Sequence, residues 1–450
     1  MVIKEDIIDQ YLENRLEFHI PNLELKNSGY RISGSGTISL NHLGAFEIRV
    51  YSKKQKPLPF DYFITQYNKS ISQAGKLISK EDFFALHGKN HYSTHYSCKQ
   101  LQVFSSNENI TKGTLKNSIE ICSPDKRIKK YNRVEIIINS NLKIPVNNSQ
   151  RTKKEYPDGS KFENLSRNTF LLNKNGTRII MFNNKNYFLI NISTKDKTID
   201  YKYLDNIINS LSFLIGKYLR WNIVKLYNNN DDEYKFLFNQ NKSEKFGPTL
   251  SKPPFDFLAY MEKPEYQEQL FLNYFKFVST DKKCILYKIT IRNLLASYSY
   301  LHVFSLTLSA NIEELLKVYF KKYAKSILKP KDVTDAMTKI NNLDIKEQLQ
   351  NRIIGFLNNI KSNIHINDIF KTLVTKKLLS KEDVEDWKKL RNSSAHGDIT
   401  NNFDTQGLLD LVYRNLVLYH KIIFLLIGYK GLYSNYGLHG HPSNSFDVEI

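Results

Sequence analysis

The chain has 450 residues, 41% of them hydrophobic, and a formal net charge of +20 at pH 7. That length exceeds one ordinary core and that apolar content excludes wholesale disorder, so two domains or three are expected. Three widely spaced cysteines, Cys98, Cys122 and Cys284, argue against a disulfide framework and for a reducing compartment. Charges stand among the first residues where a leader peptide needs an apolar run, and the late apolar stretch from Ile422 to Tyr429 is too short to span a bilayer. The expectation is a cytoplasmic chain without membrane contact.

Taken in chain order, the first half reads as mostly β. Tyr30 to Val50 holds short strand-like runs punctuated by Gly and Asn. Val134–Ile138, Arg178–Phe182 and Tyr187–Asn191 are β-branched or aromatic runs of strand length, and the Asn-rich tetrads at 173–176 and 183–186 read as hairpin turns. Leu204, Ile207, Ile208, Leu211 and Leu214 recur at helical spacing, which predicts a helix over 201–215, with strand character returning over 218–227. Residues 238–255 are polar and end in Pro253-Pro254, the pattern of a linker.

The second half reads as all-α. Amphipathic patterns cover 265–278, then 285–324 as one long helix or two joined ones, then 345–360 and 366–379. Ser380 opens the next helix with Asp383 as its capping-box partner, and that helix runs to about His396, with Gly397 as a natural C′ residue. A last helix extends from near Asp404 to Ile427. The fold class expected is therefore α+β: a β-rich domain over 1–237, a linker over 238–255, a helical bundle over 256–432 and a tail over 433–450.

The positive excess lies mainly in the first half. There the run Lys126, Arg127, Lys129, Lys130 and Arg133 encloses Tyr131. It reads either as a contact for RNA backbone with a stacking ring or as a solvated turn before a strand. His87, His91, His95 and Cys98 recur at helix-like spacing and form a weak alternative zinc set, opposed by Gly88 and Asn90, which break a helix, and by the lack of a completing carboxylate.

The segment Leu390-Arg391-Asn392-Ser393-Ser394-Ala395-His396-Gly397 carries the most chemistry. Asn392 and His396 stand four apart on a helix and share a face, and the long Arg391 side chain reaches the same space. An imidazole in the last helical turn can trade a proton with a 2′-hydroxyl or a leaving oxygen, and a guanidinium can grip a phosphate in a fork. The bland reading is an Arg391 ion pair with Glu385 or Asp386 on its own helix and a helix-capping His396.

This segment resembles the R-x4–6-H motif of HEPN ribonucleases, and Ser309–Leu316 resembles that family's helix with an acidic position, here Glu313. Asn311 departs from the family's usual Ala. The likeness covers about residues 255–430. Leu211-Ser-Phe-Leu-Ile-Gly216 followed by Trp221 more loosely resembles the N-terminal domain of ApeA-type anti-phage proteins. The resemblance implies a metal-independent endoribonuclease with no cofactor, using Arg391, Asn392, His396 and Glu313 as its site. It implies tRNA or mRNA as substrate, a homodimer or higher homo-oligomer with facing motifs, an abortive-infection role, and a phage protein as trigger. The alternative is a non-catalytic recognition protein, with a β-rich binding domain and a helical dimerisation platform.

Overall fold

The computed structural model describes residues 7–52, 58–59, 62, 82–107, 109–122, 131–140, 142, 144, 146–155, 161–174, 176–195, 198–228, 234–241, 248–255, 263–324, 330–362, 365–396 and 404–448; at 148–155, 161–168, 234, 330, 359–362 and 393–396 the description is of the backbone. The chain divides into two compact units, one of residues 1–204 and 220–245, the other of 205–219 and 246–450.

The first unit opens with a short helix α1 (Ile7–Leu12) and strands β1 (Glu17–Lys26), β2 (Arg31–Leu40), β3 (Phe46–Tyr51), β4 (Phe84–Lys89), β5 (His95–Ser106) and β6 (Ile110–Leu115). These pair antiparallel in the order β4-β1-β2-β3-β6-β5, and β5 pairs back onto β4. The ring is a closed barrel, which leaves its six strands no edge within the ring. Alternate residues point inward, so Phe46, Ile48 and Val50 of β3 and Phe84 and Leu86 of β4 are buried while their neighbours are not. A bulge in β1 between Ile20 and Leu23 bends the strand as closure requires. At Gly34 a side chain would strike the Tyr51 carbonyl of the adjacent strand, so only glycine admits that approach.

From β5 the sheet continues through β7 (Ile119–Cys122), β14 (Tyr234–Phe238), β13 (Ile223–Tyr227), β8 (Arg133–Ile138), β12 (Phe188–Thr194), β11 (Thr177–Asn183), β10 (Lys161–Lys174) and β9 (Asn148–Glu155). β10 with β11 and β11 with β12 pair antiparallel, with Lys174 opposite Thr177 and Asn183 opposite Phe188, where the sequence places hairpins.

The second unit is helical: α2 (Tyr201–Ile215), whose residues from 205 belong here, then α3 (Pro264–Thr280), α4 (Ile285–Ala296), α5 (Leu301–Tyr319), α6 (Pro330–Asn341), α7 (Glu347–Ser362), α8 (Ile366–Thr375), α9 (Lys381–His396) and α10 (Thr405–Ile427). The expectation grouped α2 with the β-rich region. Residues on the side of α2 away from its apolar stripe meet helical ones: Phe213 stacks on Tyr274 at 4.4 Å, and the Tyr274 hydroxyl donates to Asn209 Oδ1 at 2.9 Å. Gly216 ends α2 with φ +69°, and a side chain there would strike the backbone of Lys252 and Pro253. The conformation and the close approach together explain a glycine at that point of the Leu-Ser-Phe motif.

The long pattern over 285–324 is two helices. Their break lacks proline and glycine, so its cause is tertiary. The Leu250 N–H donates to the Ser297 carbonyl at 2.9 Å, and the Thr249 and Ser297 hydroxyls lie 2.6 Å apart, so residues 249–250 serve the C-terminus of α4. Residues 248–255, read as linker, are therefore packed, with Ser251 and Phe255 buried. The residues read as a tail form a hairpin, β15 (Gly431–Ser434) with β16 (Ser443–Phe446), whose Phe446 packs on Phe424 at 5.5 Å. The sequence reading did not single out α6; Val333 is its one fully buried hydrophobic residue among those described, too little to set a pattern. No helix among the described residues is long and apolar enough to cross a membrane.

Candidate functional site

Helix α9 is fixed at its start by the capping box. The Asp383 N–H donates to Ser380 Oγ at 3.1 Å, and the Ser380 N–H donates to Asp383 Oδ2 at 3.1 Å. Carboxylates of its first turns then tie it to α10: Lys421 reaches Asp383 at 3.0 Å and Arg414 reaches Asp386 at 2.9 Å. Beside them Trp387, 3% exposed, sits against Phe370 with ring centroids 4.9 Å apart and donates its indole N–H to the Ser309 carbonyl of α5 at 3.3 Å.

One turn further along both helices, Arg391 Nε lies 3.2 Å from Glu313 Oε2. The own-helix alternative for Arg391 is thereby answered: Asp386 is held by Arg414, Glu385 lies 3.9 Å from Lys381, and Arg391 crosses the bundle. Lys317 Nζ takes the other Glu313 oxygen at 2.6 Å. Partial burial of Glu313 would raise its pKa, but the hydrogen bonds and charges of Lys317 and Arg391 outweigh it and hold the carboxyl below its ordinary value. Two cations around one carboxylate leave the cluster net positive. The Arg391 guanidinium also lies over the Trp387 ring, 5.9 Å from its centre.

These residues line a cleft of about 490 Å³, with Asn392, Lys388, Asn367, Ile366 and His365 completing its wall. Asn392 is exposed. The backbone of His396 closes the last turn of α9, four residues beyond Asn392; its side chain, and Gly397 entirely, lie outside the described residues. His365 precedes the first turn of α8 and keeps Nε2 buried with no hydrogen-bond partner among the described residues. Sequence reasoning missed His365, Lys317 and Lys388. None belongs to a motif, and only the meeting of α5, α8 and α9 brings them together.

The other candidates fare differently. Lys126, Arg127, Lys129 and Lys130 lie outside the described residues. Arg133 begins β8, where it pairs with Glu135 at 3.1 Å and lies over the Tyr227 ring at 5.0 Å. The helical spacing of His87, His91, His95 and Cys98 does not apply, because the stretch is the β4–β5 hairpin. His87 and His95 lie on the outer face and border one cavity, His91 stands in the turn, and Cys98 points inward, 3% exposed. Alternation along strands puts Cys98 on the face opposite His87 and His95, so the four form no ligand set. Among the described residues no group of three or more His, Cys, Asp or Glu is placed to hold a metal ion.

Neither protein-family models, nor curated proteins, nor solved structures yield a match to this chain.

Proposed function

We propose that the helical unit is a metal-independent endoribonuclease of the HEPN type, acting as an anti-phage effector. The observation that carries the reading is the Arg391–Glu313 contact at 3.2 Å in an open, net positive cleft that also presents Asn392. Arg391 keeps 45% of its side chain exposed while one carboxylate orients it, which leaves guanidinium N–H groups for a phosphate.

In this reading the neutral His396 imidazole takes the proton of a ribose 2′-hydroxyl. The 2′-oxygen bonds to phosphorus as the bond from phosphorus to the 5′-oxygen breaks, and an imidazolium returns a proton to that departing oxygen. Arg391 stabilises the charge gathering on the non-bridging oxygens, and Asn392 orients the phosphate. The products are a 2′,3′-cyclic phosphate and a 5′-hydroxyl. The nucleophile belongs to the substrate, so no metal is needed to generate one. A homodimer with facing motifs, as the resemblance implies, supplies one imidazole as base and a second as acid. tRNA or mRNA is the substrate class, and the barrel-bearing unit is the receiver of the phage trigger.

The test is incubation of the full chain and of His396→Ala with total RNA in EDTA, followed by mapping of the fragment ends. Cleavage by the parent alone, with cyclic-phosphate ends, is expected. Equal cleavage by the variant removes His396 from the chemistry.

A further inference from the structure

A second groove, about 700 Å³, runs between α8 and α9 and shares Asn367 and Lys388 with the Arg391 cleft, so the two adjoin. Its floor is apolar, with Val374 half-buried and Val384 9% exposed. Its rim carries Lys371, Lys376 and Lys388, all exposed, against the carboxylate of Asp368. Lys381 also borders it, but lies 3.9 Å from Glu385 and is partly offset by it. Lys376 is steadied over the Tyr323 ring at 5.5 Å.

We infer that this groove is the track for single-stranded RNA leading to the proposed cleavage site, with Lys371 and Lys376 holding backbone phosphates and the apolar floor receiving bases. The inference rests on the ribonuclease reading for its destination, and on the groove's own charge and shape for its occupant. A cationic rim over an apolar floor matches a strand that offers phosphates on one side and unpaired base faces on the other. A duplex presents its bases stacked inside and would meet the rim alone. Lys388, common to both cavities, bridges the track to Arg391. From Asn367 to Lys376 the helix rises roughly 14 Å, room for about two to four nucleotides.

The test uses the full chain carrying His396→Ala and a fluorescein-labelled single-stranded RNA of mixed sequence, titrated by anisotropy over a range of salt. Adding Lys371→Gln and Lys376→Gln is expected to weaken binding about 10-fold and to flatten the log K against log salt slope by about 1.4, two lost phosphate contacts at about 0.7 each. Both substitutions are on exposed positions, and circular dichroism melts verify the fold. Unchanged affinity and slope would overturn the inference. Displacement of the RNA by polyglutamate at equal charge concentration would also overturn it, and assign the groove to an acidic protein. In the parent background the same two changes slow cleavage of the long strand but not of a dinucleotide, which cannot reach them. Loss of RNA binding in the double variant, together with no cleavage by the parent, would remove the nuclease reading and keep the track. Cleavage that is insensitive to both substitutions would do the reverse.

Discussion

Arg391 meets Glu313 at the same chain separation, 78 residues, at which Trp387 meets Ser309. Each pair is one helical turn from the other on both helices, so α5 and α9 run in the same direction and stay in register through the contact. The buried indole fixes that register, and the guanidinium is positioned one turn above it at the cleft.

Trp387→Ala should therefore cost about 3–5 kcal/mol in stability, as expected for a large buried aromatic residue, and should abolish RNA cleavage with it. Trp387→Phe keeps most of the packing and loses the indole hydrogen bond, at about 1 kcal/mol. Urea denaturation at constant m value measures both. A Trp387→Phe protein less stable than Trp387→Ala would contradict the assignment of the packing role.

Glu313→Gln should leave stability within about 1 kcal/mol, because an ion pair with one partner 45% exposed is screened by solvent. Its effect belongs to activity: with Arg391 less firmly held, cleavage should fall about 10-fold, mainly through kcat. The Glu313 carboxyl is held below its ordinary pKa, so its share of stability is present above the unfolded value and is lost as pH falls through the folded one. Melting curves of parent and variant should accordingly converge in acid, below the ordinary glutamate range.

His420 acts in the same direction, over a higher pH window. It is 2% exposed, has Nδ1 without a partner among the described residues, and lies among Phe213, Tyr419 and Phe424; burial pushes its pKa down to about 3. The unfolded chain binds a proton below about pH 6.5, whereas the folded chain does not until near pH 3. Stability should decline from pH 6.5 downward with a slope approaching about 1.4 kcal/mol per pH unit from this group. His420→Phe should remove that component. Equal pH slopes in parent and variant would show that the buried imidazole is already charged in the folded state.

Ser380→Ala should cost about 1 kcal/mol, since it leaves the Asp383 N–H of the first turn without its acceptor. Replacement by Thr should restore most of this. A thermal melt distinguishes the two, and an effect of Ser380→Thr as large as that of Ala would mean that the hydroxyl is not the capping group.

Much of this architecture is legible in local sequence. The α2 periodicity, the capping box at Ser380 and Asp383, and the Asn-rich hairpin turns are each specified by residues within a few positions of one another. What the sequence conceals is set by distant partners. The break between α4 and α5 depends on Thr249 and Leu250, and the β4–β5 hairpin replaces a helix-like spacing by strand alternation that sets Cys98 apart from the histidines. The site divides in the same way. Arg391 and Asn392 stand in a motif, whereas Lys317, His365 and Lys388 enter it from three helices whose convergence no local pattern announces.

The central claim, that the substrate's own 2′-hydroxyl is the nucleophile at the Arg391 cleft, is tested most directly with two single strands of one sequence, one RNA and one DNA, incubated with the full chain in EDTA. The account predicts cleavage of the RNA to 2′,3′-cyclic phosphate ends, loss of that cleavage in Arg391→Ala, and an intact DNA strand. Cleavage of the DNA at a comparable rate, or RNA fragments with 5′-phosphate ends, would contradict it.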